Sequence, residues 1–253
     1  MFGLTKDFAE KVEKYSSQFN RVLKSCLKVK NEDILIISDY GEKSKRLSVM
    51  LAYGYYLAAK KKDLDVSLLF QNVKKGFMHA DEHVVKALEN LSPNSIIILS
   101  VSNKLGRMGL TKSFRGFCRD NGHRFISATG LADARTSHFE LFMEAININY
   151  SRMEKKGLIL KRKLDKANTI RIKTDNGTDV TFNVMGMTAL ANVGNYKVQG
   201  SGGNMPAGEV YIPPKGYYGV EGVVVIDGSM KTNTGTVLLD EPVKLIIKEG
   251  KVV

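Results

Sequence analysis

The chain has 253 residues, 43% of them apolar and 25% charged, the balance of a folded protein with a sizeable core in one large domain or two modest ones. Its two cysteines, Cys26 and Cys118, form no CxxC pair, which excludes a disulfide scaffold and points to reduced thiols in a cytoplasmic setting. The formal net charge of +12 is spread over short clusters such as Lys60-Lys61-Lys62, Lys155-Lys156 and Lys161-Arg162-Lys163; with no nucleic-acid module around them they read as a solvated face. No run reaches the roughly 18 apolar residues of a membrane span, and the opening Met1-Phe2-Gly3-Leu4 lacks a signal-peptide layout, so no membrane partner is expected.

In chain order, Phe8, Val12, Tyr15, Phe19, Val22 and Leu23 recur at three- and four-residue steps and predict an amphipathic helix over 5–28. Ile34-Leu35-Ile36-Ile37 is a fully apolar strand ending in a turn at Ser38-Asp39-Tyr40-Gly41. A helix over 43–62, a strand at Val66–Phe70, a helix over 80–91, a strand at Ser95–Val101, a helix over 110–121 and a strand at Arg124–Ala128 follow. This alternation predicts an α/β domain, residues 1–164, built on a parallel sheet covered by helices. Its C-terminal strand loops are Ser38-Asp39-Tyr40, Ser102-Asn103-Lys104 and Thr129-Gly130-Leu131; none carries a phosphate loop or a GxGxxG fingerprint, so a nucleotide site is not supported.

Residues 137–163 read as a helical connector, after which the grammar changes. Thr169–Thr174 alternates polar and apolar, Asp175-Asn176-Gly177-Thr178 supplies hairpin chemistry, and Asp179–Val184 returns. Strands at Gly219–Ile226, Thr236–Leu239 and Val243–Ile247 complete a β-rich second domain, residues 165–253, expected to be a partial metal-site domain. Lys251-Val252-Val253 looks like the start of a further strand, so the chain is expected to be cut short there.

Four histidines are available. His79 and His83, four apart, would share a helix face, but the sequence is not HExxH, and a solvated or capping pair is the plainer expectation. His138 and Glu140 would point apart on a helix, and His123 reads as a turn residue. Cys118 lies between Arg115 and Arg119, which would lower its pKa, although a small buried thiol is the simpler expectation. Glu209 differs: Gly200–Pro206 precede it and Pro213-Pro214 follow, a rigid polar loop of the kind that presents functional groups. One carboxylate cannot hold a catalytic metal alone, and no His or Cys follows it.

The run Gly203-Asn204-Met205-Pro206-Ala207-Gly208-Glu209-Val210-Tyr211-Ile212-Pro213-Pro214 resembles the metal loop of the thermophilic aminopeptidase family (aminopeptidase T, leucyl-aminopeptidase-like metallopeptidases). Gly222–Met230, Thr174–Phe182 and Asp33–Asp39 are similar to further segments of that family. The resemblance implies a homodimeric enzyme with two divalent cations (Zn, Co, Mg or Mn) and a bridging water, acting on a peptide substrate, with Glu209 as one metal ligand. The family's second glutamate, two histidines, aspartate and catalytic tyrosine have no counterpart here, so catalytic residues stay unassigned and the chain is expected to be an incomplete or inactive form. The family also resembles an iron-dependent ring-cleaving dioxygenase of dihydroxypyridine, so that activity is an alternative. A non-catalytic basic binding protein is the third reading.

Overall fold

The structure is a computed structural model that describes residues 5–42, 44–109, 113–233 and 235–253; the expectations for Met1–Leu4, Lys43 and residues 110–112 lie outside it. The chain forms two compact units, Met1–Glu154 with Asn192–Gly208, and Lys155–Ala191 with Glu209–Val253.

The first unit opens with α1 (Lys6–Lys14) and α2 (Ser16–Val22), followed by a π-helical turn, Leu23–Leu27. The single helix read from the spacing is therefore broken at Tyr15 and wound wide at its end, which buries Leu23, Cys26 and Leu27 together. Next come β1 (Ile34–Asp39), α3 (Leu47–Lys60), β2 (Val66–Gln71), α4 (Glu82–Glu89), β3 (Ile96–Ser100), α5 (Phe114–Asp120), β4 (Arg124–Ala128) and α6 (Phe139–Ile146). All but α6 are within a few residues of their sequence-based bounds. Alternate residues of the central strands feed two cores: Ile34, Ile36, Ile96 and Ile98 face one, Leu35, Ile37, Ile97 and Leu99 the other. Strands buried on both faces read as continuous apolar runs, which is why these were recognisable. On one face α3 packs against β1, β2 and β3 while α1 and α2 pack on α3. Covered on two sides, α3 is buried almost all round, with Val49, Met50, Leu51 and Ala52 each at 1% exposure or less. On the other face α4 and α5 contribute Val84, Leu88 and Cys118.

The helix expected over 137–163 is two helices, α6 and α7 (Tyr150–Asp165). Asn149 separates them: its side-chain oxygen accepts from the Arg152 N–H at 2.9 Å, an N-cap bond that competes with continuing the helix.

In the second unit β5 (Thr169–Lys173) and β6 (Asp179–Asn183) form the expected hairpin, with Gly177 at φ +100 in the turn. A short strand β7 (Leu190–Asn192) follows. The chain then supplies β8 (Gly202–Asn204), which extends the first unit's sheet by pairing parallel to β4. That five-stranded parallel sheet runs β2-β1-β3-β4-β8. Beyond it come β9 (Glu209–Tyr211), paired with β7, then β10 (Val220–Ile226), β11 (Ser229–Lys231), β12 (Thr236–Leu238), β13 (Val243–Lys248) and β14 (Lys251–Val252). The second unit's main sheet is antiparallel, in the order β14-β13-β10-β6-β5. The expected class, a parallel-sheet α/β domain with an antiparallel β-rich region, is what the fold has.

Candidate functional site

The Asn-Met-Pro part of the loop is an anchor. Asn204 accepts from the Ser127 hydroxyl at 2.9 Å through its side chain and from Tyr196 at 3.1 Å through its carbonyl. The Met205 N–H donates to the Ser127 carbonyl at 2.8 Å and its side chain is buried in the core. The Met205–Pro206 peptide is cis. The stretch before it, read from composition as a polar Gly-rich loop, is strand β8: a Cβ on Gly202 would strike the Phe125 ring, and one on Gly203 the Tyr196 ring. Those two glycines let the backbone pair with β4 while aromatic rings lie against it.

Glu209 opens β9 with its side chain exposed, and among the described residues no hydrogen bond or ion pair holds its carboxylate. No group of three or more His, Cys, Asp or Glu side chains that would hold a metal occurs among the described residues. The histidines are scattered. His79 precedes α4 and its backbone bridges to Arg107, so it does not share a helix face with His83, and the expected spacing argument fails there. His83 places Nε2 2.8 Å from the Phe70 carbonyl. His138 ends a single 3-10 turn and its Nδ1 accepts from the Arg135 N–H at 3.3 Å. His123 is 1% exposed, a core residue before β4. Burial pushes the Cys26 and Cys118 thiols up to about 12; at Cys118 this outweighs the opposing pull of Arg115. Both thiols are fully buried.

A doubly wound sheet binds ligands beyond the strand C-termini where the order reverses, here between β1 and β3. Asp39 stands there, fully buried. Its carboxylate accepts from the Ser102 N–H and hydroxyl, each at 2.7 Å, from the Ser48 hydroxyl at 3.1 Å and from the Gly41 N–H at 3.2 Å. With four donors and no exposed surface, it ties the strand ends at the crevice together. Sequence reading placed Asp39, Gly41 and Ser102 in strand-end loops and Ser48 in a helix without seeing that they meet. It also passed over a basic cleft in the first unit, whose cations come from separate segments and whose only local signal is the three- and four-residue spacing of Arg21, Lys24 and Lys28.

No helix among the described residues is long and apolar enough to cross a membrane. Residues 135–253, a little under half of the chain, match the family model of NicX, 2,5-dihydroxypyridine 5,6-dioxygenase. No curated protein matches. Among solved structures, the chain is similar to the 2,5-dihydroxypyridine dioxygenase from Pseudomonas putida KT2440, with a TM-score of 0.68 at 14% identity over 95% of this chain and 67% of that one. It is also similar to wild-type AmpT from Thermus thermophilus, with a TM-score of 0.59 at 12% identity over 95% of this chain and 70% of that one. The shared property at such identities is the fold. These findings correct the expectation of a peptide hydrolase: the matching family model and the better-scoring of the two structures are those of an oxygenase, the alternative reading of the sequence.

Proposed function

We propose that this chain is a relative of the metal-dependent ring-cleaving dioxygenases, that its substrate is a dihydroxylated aromatic ring of the dihydroxypyridine kind, and that Glu209 is the metal ligand it contributes. The observation that carries this reading is the dioxygenase family model, which runs through both the Gly203–Pro214 loop and the antiparallel sheet. The likeness to the Pseudomonas putida dioxygenase supports it at the level of the fold.

The described residues do not by themselves fit an iron centre. Non-haem iron(II) is ordinarily held by two histidines and a carboxylate on one face of the metal. Glu209 has no such companions among the described residues. The reading requires the remaining ligands to come from outside the described residues of one chain, and a second copy of the chain is the source it names.

The test is oxygen uptake by the purified 253-residue protein with 2,5-dihydroxypyridine, with and without added iron(II), alongside a solution mass measurement. The expected result is uptake that needs iron(II), tracks a dimer and collapses to background in Glu209→Gln. No uptake at saturating iron, or uptake indifferent to Glu209→Gln, sinks the proposal.

A further inference from the structure

A cleft of about 690 Å³ opens in the first unit, within the size range of small-molecule sites. Arg21, Lys24 and Lys28 line one wall, Lys197 reaches it from the segment that returns to this unit, and the start of α7 with Glu154 closes it. The convergence follows from the backbone. Arg21, Lys24 and Lys28 lie on one side of the α2 and π-turn segment because Val22, Leu23, Cys26 and Leu27 are buried on the other. Lys28 ends that segment in the left-handed region, at φ +53.

The charges are uncompensated. Among the described residues none of the four cations has an ion pair, so the cleft lining keeps a net positive charge. The single carboxylate lining the cleft, Glu154, is engaged by the Asn195 side-chain amide. Like charges spaced three and four residues apart on a helical segment destabilise it by a few tenths of a kcal/mol per pair.

We infer that this cleft is a binding site for a compact polyanion, a ligand carrying two or more phosphate groups. Lysines and an arginine around a concavity are the chemistry that recognises phosphate oxygens. The cleft has no exposed aromatic ring on which a base could stack, which favours the phosphate chain itself over a single-stranded nucleic acid. The α7 terminus is already capped by Asn149, so the attraction comes from the side chains.

The experiment is isothermal titration of the full chain with inorganic pyrophosphate at about 0.15 M salt, where charges more than ~8 Å away are largely screened. Wild type is compared with Lys24→Glu/Lys28→Glu and with Lys155→Glu/Lys156→Glu, an equal charge change at exposed positions outside the cleft lining. The cleft variant should lose affinity about tenfold or more, since each lost charge-assisted contact is worth that order. The control should change little. Lys197→Glu, on a separate segment, provides a second reading and should also weaken binding. Equal losses in the cleft and control variants, or no binding of pyrophosphate up to millimolar concentration, would overturn the assignment. So would a single-stranded oligonucleotide that binds tighter than pyrophosphate at equal phosphate.

Discussion

Ser102 donates both its N–H and its hydroxyl to the Asp39 carboxylate, each at 2.7 Å, tying the C-terminal end of β1 to the residues just past β3. Because Asp39 is fully buried, these bonds exist in place of water. Asp39→Asn would turn one acceptor oxygen into a donor facing another donor. It is expected to lower unfolding free energy by about 2–4 kcal/mol, and Ser102→Ala, which keeps the N–H bond, by about 1–2. Urea denaturation measures both. If Asp39→Asn lies within about 0.5 kcal/mol of wild type, this network does not hold the sheet edge together.

Gly54 lies inside α3, where Gly→Ala ordinarily stabilises a helix by about 0.5–1 kcal/mol. Here an added methyl group would run into the Phe19 ring of α2. Phe19 is fully buried and set edge-on to Tyr55, with centroids 4.8 Å apart, so it has no room to retreat. Gly54→Ala is expected to lower stability by about 1–3 kcal/mol. Thermal melting decides the sign, and a raised Tm would refute the close-contact argument.

The elements legible in the sequence were those whose residues signal locally. β1 and β3 carry continuous apolar runs buried on both faces, and the β5–β6 hairpin carries alternation plus an Asn-Gly turn. β8 was not legible because Gly-Gly-Asn has no strand propensity: its glycines answer to Phe125 and Tyr196, rings distant in sequence. Glu209 stood out through its flanking Pro and Gly, but it opens strand β9 and not a loop, and its lack of companions among the described residues is a fact about space. Asp39 had no local mark; its role exists only because parallel pairing puts Ser102 beside it.

Lys74 and Asp81 form an ion pair whose two members are unequally buried: the lysine side chain is 5% exposed and the aspartate 23%. Asp81→Asn would strand a buried ammonium and is expected to cost about 3 kcal/mol, whereas Lys74→Met keeps the packed stem and should cost about 1 kcal/mol or less. The hydrogen bond from Lys74, helped by the Asn72 N–H, holds the Asp81 carboxyl below its usual range. The pair's contribution is therefore complete above about pH 4, the unfolded value, and is lost as pH falls through the lower folded one. Urea midpoints between pH 5 and pH 2.5 should fall less steeply for Lys74→Met than for wild type; parallel curves would show that the pair has no part in acid unfolding.

His123 carries the acid sensitivity expected nearer neutrality. It is 1% exposed, its ring centroid 5.4 Å from that of Phe117. Burial holds its pKa below the ordinary value, and its bond to the Ser95 backbone only partly offsets this. The unfolded chain therefore takes up a proton more readily than the native one. His123 contributes fully above about pH 6.5, and its contribution drains away as pH falls toward the folded value, at a slope of up to about 1.4 kcal/mol per pH unit. Wild type should lose stability between pH 7.5 and pH 5, before the carboxylates titrate. His123→Gln can keep the Ser95 bond without titrating, so it should flatten that interval when urea midpoints are compared across it. An undiminished loss in the variant would assign the proton uptake to a different group.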